Sequence, residues 1–148
     1  MHPLVHLGVA VDLGFEGLMV PVIRDASGKS VADLARAIHA FANRARGGSI
    51  APDDLAGGTY TISNSGPFGT LITAPIINQP QVAILSTDGV RKKPVVVESA
   101  SGDAIAIRPV GVIAQSFDHR AFDGAYSAAF LKRLREIIES RDWAGAVD

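Results

Sequence analysis

The spacing of apolar residues changes along this chain, and those changes constrain its fold more than any other feature of the sequence. Near the start, alternate positions are apolar, namely Val5, Leu7, Val9 and Val11. That period is typical of a half-buried strand. A second apolar run occupies residues 18–23, after a turn bracketed by glycines. The two runs predict a hairpin, with Pro21 at a sheet edge or a bulge.

A helical period replaces the strand period in the next segment. Its apolar positions are Val31, Leu34, Ala35, Ile38, Phe41, Ala42 and Ala45. This spacing predicts an amphipathic helix, which Ser30 and Asp33 begin as a capping box and Gly47 ends. A second amphipathic stripe follows Gly124, with charged residues on its opposite side, and predicts a final helix.

Extended segments dominate the sequence between the two predicted helices. After a short helical turn at Pro52, strands are predicted at 59–64, 82–85, 95–97, 105–107 and 110–117. A glycine-rich loop ends the first of these strands, and a polar turn separates the third from the fourth. At 148 residues the chain has the size of one domain, and no internal repeat divides it.

The composition argues against several classes of function. Lysine and arginine number 14 against 15 acidic residues, so the chain lacks the basic excess that binds nucleic acid. With 47% hydrophobic and 20% charged residues the sequence is typical of a globular protein. It has no cysteine, which excludes disulfides and thiolate chemistry and suits a reducing cytoplasm. No apolar stretch approaches the roughly 18 residues that span a bilayer, so we expect a cytoplasmic protein without a membrane partner.

A cluster of polar residues stands at the junction of the last predicted strand and the last helix. Its members are Asp118, His119, Arg120, Asp123 and Gly124. Loops at such junctions often carry functional side chains, and a histidine with its ordinary pKa of about 6.5 can accept a proton near neutral pH. On residue types alone an alternative stays open, in which these charges only satisfy one another at the start of a helix.

Ser63 is the other candidate, because a hydroxyl at a strand end beside a glycine loop can face an open site. Taken alone, a serine in this position is most often a solvated or locally bonded strand serine. The remaining histidines, His2, His6 and His39, lack the spacing of metal ligands, so no metal site is predicted. The glycines near residue 66 do not match a phosphate-binding motif, and no nucleoside triphosphate site is predicted either.

Several segments in order resemble the catalytic domain of the dihydrolipoyl acyltransferase component of 2-oxo acid dehydrogenase complexes. The similarity runs from about residue 7 to residue 138. Its marks are GLMVPVIRDA at 17–26, SVADLARAI at 30–38, PDDLAGGTYTISNSGPFG at 52–69, APIINQPQVAIL at 74–85, RKKPVVV at 91–97 and SFDHRAFDG at 116–124. The resemblance implies an α+β fold, a two-layer sandwich in which helices pack on a mixed sheet, shared with chloramphenicol acetyltransferase.

The resemblance also implies a site and an assembly. By the family pattern, His119 is the general base and Asp123 orients its loop. Ser63 belongs to the same site across the interface of a homotrimer, so that the two residues come from different chains. Asn64, Gly66 and Phe68 line the substrate channel. The family moves an acyl group between coenzyme A and a dihydrolipoyl arm, without a metal, and works with a lipoyl domain and with the decarboxylase and dihydrolipoyl dehydrogenase components.

The sequence departs from the family pattern in three ways. The catalytic domain of the family extends further toward the N-terminus, so we expect residues 1–148 to be one catalytic domain lacking its N-terminal portion. No lipoyl domain and no peripheral subunit-binding domain is recognised, so the lipoyl group must come from elsewhere. The tail at 142–148 is less apolar than those that join trimers of relatives into larger cores, which favours a trimer over a large shell.

Two other functions remain as alternatives. A chloramphenicol-type O-acetyltransferase usually has a second histidine where this chain has Asp118. A non-catalytic subunit that only scaffolds the core commonly loses the histidine kept here as His119. The acyl group does not follow from the sequence, although the likeness slightly favours a pyruvate or branched-chain complex.

Overall fold

A computed structural model describes residues 2–146, so Met1 and the last two residues of the tail lie outside the description. Nine strands and two long helices are found in this part of the chain. The strands are β1 (Leu7–Val9), β2 (Val11–Asp12), β3 (Leu18–Met19), β4 (Val22–Ile23), β5 (Tyr60–Asn64), β6 (Ala83–Thr87), β7 (Arg91–Val97), β8 (Ala104–Val110) and β9 (Ile113–Phe117). The helices are α1 (Val31–Arg46) and α2 (Gly124–Ser140), and single 3-10 turns lie at Ala26–Gly28, Pro52–Leu55, Gly66–Phe68 and Ala144–Ala146.

Five strands form a mixed sheet in the order β4-β1-β5-β6-β9. β5 runs parallel to both of its neighbours, whereas β4 and β9 pair antiparallel at the two edges. The predicted N-terminal hairpin is confirmed, since β1 pairs with β4 and β2 pairs with β3. The first predicted strand divides at Ala10, whose amide donates to Ile62 while that of Val9 donates to Pro21 on the other side.

Both helices pack on the face of the sheet that carries Tyr60 and Ile62. Ile38 and Ala42 of α1 border a cleft beside Ile62, and the Phe130 ring of α2 meets the Tyr60 ring edge-on, with centroids 6.0 Å apart. The predicted N-cap of α1 is confirmed, because the Ser30 hydroxyl accepts the Asp33 amide at 3.1 Å. These contacts define the two-layer α+β architecture that the resemblance implies.

The opposite face of the sheet is covered by the long connection between β5 and β6. Parallel neighbours cannot be joined by a tight turn, so this connection must cross the sheet. Thr61 is fully buried there and donates to Gln81 at the end of the connection, at 2.7 Å. A Cβ atom on Gly8 would lie 2.7 Å from the Thr61 hydroxyl oxygen, so only glycine fits at this point of β1.

β7 and β8 form a two-stranded ribbon that continues β6 and β9 beyond the sheet. Its register runs from Arg91 opposite Val110 to Val97 opposite Ala104, longer than the segments predicted at 95–97 and 105–107. The predicted strand at 110–117 is interrupted at residues 111–112, where a Cβ atom on Gly111 would lie 3.0 Å from Val90. Charged residues and Pro94 break the alternating strand pattern at the start of β7, although a proline is tolerated on an edge strand.

The isolated chain exposes more surface than a compact protein of its size. Its accessible area is 10115 Å², whereas a compact monomer of this mass exposes about 7,200 Å². One apolar face of the ribbon contributes to the difference, because Val96, Ile105 and Ile107 are each more than half exposed. The fold therefore presents surfaces suited to burial against further polypeptide.

Candidate active site

His119 lies in a tight loop between β9 and α2. The loop is closed by backbone hydrogen bonds, from Asp118 N to the Val82 carbonyl at 2.8 Å and from Ala121 N to the Asp118 carbonyl at 2.9 Å. The imidazole is exposed and packs against the Phe117 ring, with centroids 5.2 Å apart. It forms no hydrogen bond with any other residue in the range 2–146.

Asp118 and Arg120 flank His119 and bind each other. The Asp118 carboxylate accepts the Arg120 amide at 2.9 Å and its guanidinium at 2.7 Å. Hydrogen bonds from Arg120 are the main cause that lowers the pKa of Asp118 to about 2. The interpretation that charges in this cluster satisfy one another therefore holds for Asp118 and Arg120, whereas His119 takes no part in the pair.

Asp123 caps the helix that follows the loop. Its carboxylate accepts the Tyr126 amide at 2.8 Å, which satisfies one of the free N–H groups in the first turn of α2. The cap fixes the point where the loop enters α2. In the single chain, Asp123 fixes the start of α2 and forms no hydrogen bond with the imidazole of His119.

Ser63 stands near the carboxyl end of β5, opposite Ser86 of β6. Its side chain is half-buried, and its hydroxyl forms no hydrogen bond with the other residues that the structure describes. The neighbouring Asn64 side chain accepts the Gly66 amide at 2.9 Å and begins the loop after β5. Ser63 therefore presents an uncommitted donor beside a loop of defined shape.

Within one chain, Ser63 and His119 lie at opposite ends of the sheet. Ser63 is level with Ser86 and, across β6, with Ala114 at the start of β9, whereas His119 follows the far end of β9. Strand geometry separates them by about 15 Å along the strands and about 10 Å across them. A site that uses both side chains must therefore combine two copies of the chain.

The residues expected to line a channel differ in their placement. Asn64 and Phe68 border a cleft of 440 Å³ between α1 and the sheet, which also includes Ile38 and Ile62. Gly66 is not among the lining residues of this cleft. The Phe68 ring is 57% exposed and meets the Phe15 ring edge-on at 6.0 Å.

Two polar groups were missed by the sequence reasoning. Asp88 is buried at the end of β6, where it accepts hydrogen bonds from Thr70, Thr73 and Ser86. Tyr60 donates to Gln115 at 2.6 Å, and burial raises the pKa of Tyr60 to about 12. The only sequence signal for Asp88 is an acidic residue directly after an apolar strand, because its threonine partners lie 15 and 18 positions away.

Residues 2–146 contain no group of three or more histidine, aspartate or glutamate side chains arranged to hold a metal ion. The helices in the same range are too short or too polar to cross a bilayer.

Solved structures with the same architecture are catalytic domains of acyltransferases. An Azotobacter vinelandii dihydrolipoamide acetyltransferase superposes with a TM-score of 0.86 at 37% identity, over 94% of this chain and 55% of that one. The cubic core of the pyruvate dehydrogenase multienzyme complex gives 0.86 at 36% identity, over 94% and 55%. The fold is therefore that of an acyltransferase catalytic domain of the chloramphenicol acetyltransferase type.

The sequence comparisons define the family. Residues 1–144 match the family described as 2-oxoacid dehydrogenases acyltransferase (catalytic domain). The dihydrolipoyllysine-residue acetyltransferase of the Mycobacterium bovis pyruvate dehydrogenase complex is 47% identical over 90% of the chain and 24% of its own length. The mitochondrial succinyltransferase of 2-oxoglutarate dehydrogenase complex 1 from Arabidopsis thaliana is 41% identical over 91% and 28%. The chain belongs to this acyltransferase family and spans about a quarter of the length of these relatives.

Proposed function

We propose that this chain transfers an acyl group between coenzyme A and a dihydrolipoyl thiol within a 2-oxo acid dehydrogenase complex. The observation that carries the proposal is the exposed His119, which has no hydrogen-bond partner among the described residues and lies in a closed loop of a family acyltransferase domain. In the Azotobacter acetyltransferase, a serine, a histidine and an asparagine were investigated for their role in the catalytic mechanism. Its histidine and asparagine are four positions apart, the spacing of His119 and Asp123 here.

The chemistry follows from the ordinary properties of these groups. A thiol with a pKa near 8.5 is mostly protonated at neutral pH, so a base must remove its proton before attack. The His119 imidazole accepts that proton, and the thiolate sulfur forms a bond to the carbonyl carbon of the acyl thioester. The tetrahedral oxyanion then collapses, the old carbon–sulfur bond breaks, and the departing thiolate takes the proton back from His119.

Ser63 supplies a hydrogen bond to the oxyanion in this proposal. A preorganised donor directed at developing negative charge contributes about 3 kcal/mol to the transition state. Its hydroxyl is free to do so, because no other described residue occupies it. No covalent acyl-serine is needed, since the thiol of the acceptor attacks the thioester of the donor directly.

Two copies of the chain are needed for one site, because Ser63 and His119 are far apart in a single copy. A closed homotrimer places the same pair at each interface. The cubic core among the structural neighbours is a larger assembly of the same kind of domain. A lipoyl domain, a decarboxylase and a dihydrolipoyl dehydrogenase are the partners that this reaction requires.

The relatives differ in the acyl group that their names give. Their names include both acetyltransferases and succinyltransferases. We favour the acyl group of a pyruvate or branched-chain complex. We also propose a cytoplasmic location, which suits a sequence without cysteine.

The test is transfer from acetyl-, succinyl- and isobutyryl-coenzyme A to dihydrolipoamide, measured for the protein and for His119→Ala. Loss of a general base lowers kcat by about 100-fold or more. His39→Ala is the matched control, because His39 is an exposed histidine on α1 far along the chain from the loop. Full activity of a folded His119→Ala variant would refute the proposed role, and silence of the unaltered protein with every donor would favour a scaffolding subunit.

A further inference from the structure

Asp88 is a buried carboxylate without a basic partner. Only 5% of the residue is exposed, and it takes part in none of the ion pairs among the described residues. Four donors surround it instead. One carboxylate oxygen accepts the hydroxyls of Thr70 at 2.6 Å and Thr73 at 2.7 Å, and the other accepts the Thr73 amide at 3.1 Å and the Ser86 hydroxyl at 3.2 Å.

These bonds hold one segment, residues 65–73, which we call the 65–73 loop. Gly89 N donates to the Thr70 carbonyl at 2.9 Å, and Ser65 N donates to the Thr87 carbonyl at 2.9 Å. The Thr70 hydroxyl also lies 3.0 Å from the Ser65 carbonyl, so it stands close to the start of the loop as well as to Asp88. The Arg91 guanidinium also donates to the Gly69 carbonyl, and the other anchors named here are at or next to Asp88.

The loop packs tightly on Asp88 at Gly66. A Cβ atom at this position would lie 3.1 Å from the Asp88 carbonyl oxygen, so a larger residue would displace the loop. The same loop follows Ser63 and Asn64 directly and carries Phe68 into the cleft beside α1. Ser86, which donates to Asp88, is the register partner of Ser63.

We propose that Asp88 is a positioning residue, whose ionised carboxylate fixes the 65–73 loop and with it Asn64 and Phe68, which we expect to line the substrate channel. The catalytic part of this inference rests on the proposed acyl transfer, whereas the anchoring of the loop does not. The hydrogen bonds, with Thr70 first, hold the pKa of Asp88 below its ordinary value, so the side chain is ionised at neutral pH.

A carboxylate suits this position better than an amide. All four contacts require an acceptor, and a carboxylate offers two oxygens that only accept. The Thr73 amide cannot reverse its direction, so an asparagine at 88 must place its oxygen toward that amide and its NH₂ group toward the two threonine hydroxyls. The hydroxyls can rotate, and the variant therefore weakens the anchor without filling or emptying space.

The experiment measures loop opening and substrate binding together. Hydrogen exchange of the 65–73 loop in Asp88→Asn is expected to accelerate by about tenfold or more, with α1 and α2 unchanged, because charge-assisted bonds are lost locally. The KM for at least one of the two substrates is expected to rise by about tenfold, while kcat changes little. Asp103→Asn, at an exposed turn of the ribbon, is the matched control and should change neither readout.

Three outcomes would overturn the inference: unchanged exchange in the loop, faster exchange spread evenly over the chain, or a fall in kcat with an unchanged KM. If Asp88→Asn does not fold, Thr73→Val takes its place, since it removes one hydroxyl donor, and Thr73→Ser should restore the unaltered behaviour. Absence of transfer by the unaltered protein would refute the proposed reaction and the catalytic part of the inference. The exchange data would still decide whether Asp88 anchors the loop.

Discussion

Mixing the variants Ser63→Ala and His119→Ala tests whether one site draws on two copies of the chain. The two residues lie at opposite ends of the sheet within one copy, at the level of Ala114 and beyond Phe117 of β9. Each variant alone lacks one half of every site. In a mixed assembly, some interfaces join an intact Ser63 from one copy to an intact His119 from the next.

The expected gain follows from counting interfaces. In a cyclic trimer that contains both variants, in either ratio, about one of three sites combines the intact serine with the intact histidine. Loss of one oxyanion donor lowers kcat by about 100-fold or more, and loss of the base has a similar effect. Mixed assemblies should therefore recover about a third of the unaltered rate, roughly 30 times that of the more active parent variant.

The assay is acyl transfer to dihydrolipoamide by co-expressed variants carrying two different affinity tags. Purification through both tags confirms that the copies have mixed, and variants mixed after separate assembly provide the baseline. Mixed assemblies no faster than the mean of the parents would refute the intersubunit site. That result would require both groups of a working site to come from one copy, against the sheet register described here.

Two further predictions concern individual contacts. The pKa of Asp118 is lowered to about 2 from 3.8, so its pair with Arg120 stabilises the His119 loop above pH 4 and loses that contribution as the pH falls toward 2. An NMR titration of the Arg120 side chain should show this transition. The variant Asp118→Asn should abolish it. Ser30→Ala removes the N-cap of α1 and should lower the free energy of unfolding by about 1 kcal/mol. Denaturant titration measures this loss, with Ser101→Ala in the exposed ribbon turn as the control. An equal loss in both variants would count against the cap.

The elements found correctly from the sequence are those with local signals. The hairpin, α1 and α2 follow from periods and caps within a few positions, as Ser30 and Asp33 show. The start of β7 does not follow from the sequence, because Pro94 and the charged residues around it break the alternation of apolar and polar positions. The last strand is interrupted at residues 111–112, where Gly111 lies close to Val90, and no local pattern indicates that proximity.

The candidate site divides in the same way. His119, Ser63 and Asp123 were chosen from short motifs, and each lies at a strand or helix end. Their distances could not be predicted, because the separation of Ser63 from His119 depends on the parallel pairing of β5 with β6 and on the register of β9. Asp88 was missed for a related reason, since its donors come together only when the crossover folds back onto β6.

The large exposed area of the chain bears on how its stability should be measured. An excess of nearly 3,000 Å² over a compact monomer is comparable to the surface buried in obligate complexes. In the homotrimer that we propose, association of copies would stabilise the folded state by mass action, and the melting temperature should then rise with protein concentration. Such an assembly would lose thermal stability on dilution, so its melting temperature has a meaning only at a stated concentration.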